Sequence, residues 1–177
     1  MLNFHTSLTE KHTYQANPWS WLVMGRPTSF YYQSPKGCGV KDCAKEVLAI
    51  GTPILWWIGA IAVLLLIGVN LHNLAMREFD SATVIPMLGI IAGYLPWFFF
   101  QKRTVFTFYA IVFEPFLILA LVLMAKMAYE YDERFKYLIG ITVFIIAVNF
   151  IDFYPLFTGM TITYKEWYSH MWWSSWI

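Results

Sequence analysis

Four stretches of the chain are apolar and almost free of charge, and short polar intervals separate them. Residues 47–71 lie between Lys45-Glu46 and Arg77, carry no charged side chain and hold the pair Trp56-Trp57. At about 1.5 Å per residue this run reaches about 37 Å, more than a hydrocarbon core of about 30 Å. Residues 81–100 are also uncharged, with Trp97 near one end, where an amphipathic ring favours the membrane interface. Pro86 and Pro96 are expected to kink or end that helix. Residues 104–125 hold one ionisable residue, Glu114, followed at once by Pro115, and residues 137–157 contain Asn149 and Asp152. The pattern predicts an all-α membrane protein with four transmembrane helices. The connection at 101–103 is so short that the second and third helices must be antiparallel neighbours.

The flanks read differently. Residues 1–46 lack a long uncharged run, yet Trp19, Trp21, Phe30, Tyr31 and Tyr32 are too many large rings for a solvated tail, and Pro18, Pro27 and Pro35 break any continuous helix. A partly helical, interfacial segment is expected there. Residues 158–177, with Trp167, Tyr168, Trp172, Trp173 and Trp176, should form a second interfacial segment. The division is therefore 1–46, a helical domain at 47–157, and a tail at 158–177.

Composition sharpens this reading. Hydrophobic residues make up 59% of the 177 positions, charged residues only 13%, and mean hydropathy is +0.53, against about a quarter charged in soluble domains. A soluble protein is excluded. Net charge is +1, so no cationic excess exists to neutralise a nucleic-acid backbone. The histidines at 5, 12, 72 and 170 are scattered and Cys38 and Cys43 alone cannot complete a ligand set, so no metal site and no cofactor are predicted. Four crossings put both chain ends on one side. That side carries eight Lys and Arg against four opposite, which by charge bias alone would be cytoplasmic. Cys38 and Cys43 allow either a disulfide in an oxidising compartment or two reduced thiols.

Several short motifs occur in order along the chain: His12-x-Tyr14, Asn17-Pro18-Trp19-Ser20-Trp21, Arg26-Pro27, Ile50-Gly51-Thr52-Pro53, Gly93-Tyr94-Leu95-Pro96-Trp97, the run from Arg103 to Tyr109, and Glu114-Pro115-Phe116-Leu117. Together they resemble the C-terminal four-helix region of actinobacterial-type protein O-mannosyltransferases. The resemblance implies a membrane glycosyltransferase of the GT-C architecture, moving mannose with inversion from polyprenyl phosphate mannose to Ser or Thr of exported proteins. It also implies a cell-membrane location with both ends extracytoplasmic, against the charge count. The family's catalytic acidic residues lie in a first external loop that this sequence lacks. No catalytic residue is therefore assigned to the chain, and an N-terminal catalytic half is the expected partner, this chain being a fragment or split product. The alternative is a non-enzymatic four-helix accessory or scaffold protein acting by helix contacts alone.

A phosphate-bearing donor needs cations near headgroup level, and Arg26 and Arg103 are the candidates, with Lys102 read as an anchor of its turn. His12 is expected to serve as a hydrogen-bonding residue. Glu114, about ten residues into the third helix and about 15 Å deep, would either hold a proton and orient an acceptor, or be a structural group bonded to a neighbouring helix. Asp152 is expected to pair with Lys102 and Arg103, with Asn149 joining that network.

Overall fold

The computed structural model describes residues 10–36 and 38–177; residues 1–9, with His5, and Gly37 lie outside the described residues. Among the described residues five helices follow one another: α1 (Pro53–Met76), α2 (Ser81–Tyr94), α3 (Glu114–Tyr131), α4 (Phe135–Thr158) and the short α5 (Tyr164–Ser169). Among the described residues three segments are long and apolar enough to cross a membrane, namely α1, α2 with its 3-10 continuation to Phe100, and α4. The third predicted span, at 104–125, behaves differently. Its helix, α3, has 18 residues, carries Glu114, Lys126 and Glu130, and packs against both α1 and α2.

Each boundary has a local cause. Pro53 and Pro115 occupy the first turns of α1 and α3, where the missing N–H is no loss and the fixed φ suits the helix. Asp80 caps α2 by accepting from the Ala82 N–H at 3.0 Å. Pro86 is accommodated within α2, whereas the α-helix gives way to a 3-10 turn just before Pro96. Helix α4 ends at Gly159, whose φ of 66° is left-handed and where a Cβ would meet Val47 Cγ2 at 2.9 Å.

Two expected spans start too early. Residues 47–49 belong to strand β2 (Cys43–Ala49), in which burial alternates with period two from Ala44 onward. That strand lies between β1 (Thr28–Gln33) and β3 (Thr161–Thr163), antiparallel to both, with a bulge between Ser29 and Tyr31. The sheet is an addition to the helical fold that apolar runs alone did not predict. Residues 104–106 do not open a helix, because the N-terminal segment recruits their backbone and side chains. The Ala16 N–H donates to Val105 O at 2.9 Å, and the Thr104 hydroxyl donates to Glu10 O. A 3-10 turn (Thr107–Val112) then leads into α3. The predicted hairpin at 101–103 is thus the tip of a longer connection, although α2 and α3 do pack together.

Candidate functional site

The segment before α1, the sheet, the connection between α2 and α3, and the tail all meet at one end of the helices. Their meeting is organised by tryptophan. The 3-10 turn Pro18–Val23 and the left-handed Met24 (φ 52°) leave main-chain carbonyls with accepting capacity that the backbone does not fill, and a buried carbonyl needs a donor. Indole N–H groups supply them. Trp21 donates to Ala16 O at 2.9 Å, Trp56 to Trp21 O at 2.9 Å, Trp57 to Val23 O at 3.2 Å and Trp176 to Met24 O at 2.7 Å. The Tyr94 hydroxyl donates to Pro18 O at 2.7 Å. The rings themselves fill the space between, with Trp97 stacked on Tyr109 at 4.5 Å.

Arg26 lies inside this assembly. Its Nε donates to Thr13 O at 3.1 Å, and its Nη1 donates to Ser175 O at 2.8 Å and Ile177 O at 3.2 Å. The guanidinium also sits 5.5 Å from the Tyr14 ring centre. It clamps the N-terminal segment to the tail. Arg103 is placed otherwise. Its Nε is buried without a hydrogen-bond partner, and among the described residues the guanidinium joins no ion pair. The two candidate cations are therefore distinct: Arg26 is committed to main-chain oxygens, whereas among the described residues Arg103 has a buried Nε without a partner.

The remaining candidates separate as well. His12 is exposed; its Nδ1 accepts from the Tyr14 N–H at 3.1 Å and its ring meets Phe106 edge-on. Glu114 is not deep in a helix. It is the first residue of α3, because that helix starts ten residues later than the apolar run suggests. Asp152 does not pair with Lys102 or Arg103. It faces the tail instead, with its Oδ1 3.5 Å from His170 Nε2. The expected Asn149 network is replaced by a cap: Asn149 Oδ1 accepts from the Ile54 N–H at 3.0 Å.

Sequence reasoning passed over two buried polar groups. His170 is 3% exposed, and both ring nitrogens face main-chain oxygens, Nδ1 to Glu166 O at 2.7 Å and Nε2 to Asp152 O at 2.9 Å. The imidazolium form donates to both, whereas a neutral ring serves one. Glu46 is 4% exposed and accepts from the Trp167 indole at 2.5 Å, tying β2 to α5. The Glu166 carbonyl is one helical turn from His170, but Asp152 and Trp167 are 18 and 121 residues from the groups they meet, so only the fold reveals those contacts. Cys38 and Cys43 form a disulfide.

A polytopic helical membrane protein with an aromatic, polar cap at one end is the class these features define. The fold is shared with a chain of the S. cerevisiae protein O-mannosyltransferase Pmt1-Pmt2 complex bound to the sugar donor, at a TM-score of 0.75 and 23% identity over 99% of this chain and 25% of that one. The family described as the C-terminal four TMM region of protein-O-mannosyltransferase matches residues 1–176, and the chain belongs to it. Similar proteins include the polyprenol-phosphate-mannose–protein mannosyltransferases of Mycolicibacterium smegmatis (32% identical over 98% of this chain) and Corynebacterium glutamicum (30% over 99%). The chain spans 35% of the length of each.

Proposed function

We propose that the chain acts as the C-terminal region of a protein O-mannosyltransferase that moves mannose from polyprenyl phosphate mannose to Ser or Thr of an exported protein. The family match over residues 1–176 carries this reading. In it the N-terminal catalytic half supplies the acidic residues, and the helices described here, embedded in membrane lipid, help to form the grooves for donor and acceptor. Residues 10–46 and 158–177 lie at the outer interface of the cell membrane in this reading, with both ends extracytoplasmic. The disulfide Cys38–Cys43 supports that side, because such bonds persist in oxidising compartments.

Of the two cations, Arg103 is the donor-phosphate residue in this reading. As the sugar–phosphate bond breaks, negative charge builds on the phosphate, and an Arg fork can hold two of its oxygens. Arg26, with Nε and Nη1 already bonded, keeps the surrounding segments in place, and His12 fixes the turn after it. The test is mannose transfer to a threonine-containing peptide in membranes carrying both halves. Arg103→Ala should lower transfer by about a hundredfold, and Arg103→Lys should restore only part of it. Unchanged transfer in a properly inserted Arg103→Ala protein would remove Arg103 from the donor site.

A further inference from the structure

A small cavity of about 190 Å³ opens where the end of β2, the 3-10 turn Thr107–Val112 and the start of α3 meet. Glu114 and Thr107 are among its lining residues, as are the aromatic residues Trp56 and Phe108. Thr107 is 5% exposed, and its hydroxyl hydrogen is directed at Arg26 O at 2.5 Å, so the oxygen faces other groups only as an acceptor. Among the described residues Glu114 makes no side-chain hydrogen bond and no ion pair. No Lys, Arg or His lines the space.

We infer that this cavity is a subsite for an uncharged hexosyl ring, with Glu114 as the positioning residue that accepts from its hydroxyl groups. The lining chemistry selects the class. Acceptors without cations repel phosphate and other anions and suit a ligand rich in O–H donors. Aromatic walls suit the apolar C–H faces of a sugar ring. The volume is below the range of drug-sized pockets, which fits a single ring rather than an oligosaccharide. The inference rests on the proposed function in one respect, that the sugar is the mannosyl group of the donor.

The experiment is saturation-transfer NMR on the purified full chain in detergent, with methyl α-mannoside as the probe and a threonine-containing peptide as a second arm. Wild type should transfer saturation to the mannoside ring protons. Glu114→Ala should abolish the transfer, and Glu114→Gln, which keeps the shape and one acceptor oxygen, should weaken binding about tenfold. A thermal unfolding scan of each variant accompanies the measurement, so a folded protein is compared with a folded protein. Absence of transfer to the mannoside in wild type would overturn the inference, as would its persistence in folded Glu114→Ala. Transfer to the peptide instead would give the cavity to the acceptor and also overturn it. Each of these leaves the proposed function standing if mannose transfer still depends on Arg103; independence from Arg103 bears on that reading alone.

Discussion

The Asn149 side chain on α4 accepts the first free N–H of α1, that of Ile54, at 3.0 Å. Asn149 is 5% exposed, so the bond closes a helix end where water cannot serve it. Pro53 has no N–H to offer, which makes Ile54 the first donor needing a partner. Asn149→Ala should cost about 1–3 kcal/mol, since a buried donor is left unmade. Asn149→Asp, which keeps the acceptor, should cost less. Denaturant unfolding in detergent reads the difference.

Arg26 and Arg103 should separate under substitution. Arg26→Ala removes three bonds to main-chain oxygens that join residue 13 to residues 175 and 177. It should lower stability by about 1–3 kcal/mol and loosen the tail, as hydrogen exchange at residues 174–176 would register. Arg103→Ala, whose Nε has no partner to lose, should leave exchange in the tail unchanged while transfer falls.

The disulfide yields a mass. Alkylation without prior reduction should add nothing to the chain, and reduction first should add two labels, at Cys38 and Cys43. Two labels without reduction would remove the main support for an oxidising compartment on that side.

Topology can be read with single cysteines introduced at Thr13, Asn73, Glu130 and Ser169, in a background lacking Cys38 and Cys43. Asn73 and Glu130 should react from the side opposite to Thr13 and Ser169, and the latter pair should react from outside the cell. Reaction of Thr13 and Ser169 from the cytoplasm only would reverse the proposed orientation.

At the far end of the molecule, the turn between α3 and α4 is held by Asp132, which accepts from Arg134 Nη2 at 2.7 Å and from the Arg134 main-chain N–H at 2.9 Å. The Arg134 side-chain bond, then the main-chain bond, holds the Asp132 carboxyl below its ordinary range. A lowered carboxyl contributes stability above its unfolded value and loses it as pH falls through the folded one. An NMR titration should therefore place the Asp132 midpoint below that of a free aspartate, and Arg134→Gln should move it up.

The apolar pattern locates α4 almost residue for residue, because nothing else competes for that stretch. It misjudges α1 at residues 47–49, where Val47 and Leu48 are apolar enough for a span but alternate in burial as a strand. It misjudges α3 because hydropathy does not register that Ala16 and Glu10 draw Val105 and Thr104 into extended backbone. That error moved Glu114 from a helix start to mid-membrane. Cations were legible as types, but the commitment of Arg26 rests on the carbonyls of Thr13, Ser175 and Ile177, the last two 149 or more residues away in the chain. The Asp152 and His170 contact was hidden for a simpler reason. Hydropathy puts Asp152 and the 102–103 turn at the same membrane face, whereas the tail that carries His170 folds back onto α4.

The indole bonds to residues 16–24 also impose an order of assembly. Carbonyls at 16, 21, 23 and 24 find their donors on Trp21, Trp56, Trp57 and Trp176. Met24 O must wait for the last of these, after every intervening helix has entered the bilayer. The segment at 16–24 therefore reaches its native shape only once Trp176, 152 residues beyond Met24, is in place, so the earlier part of the chain is completed by its tail.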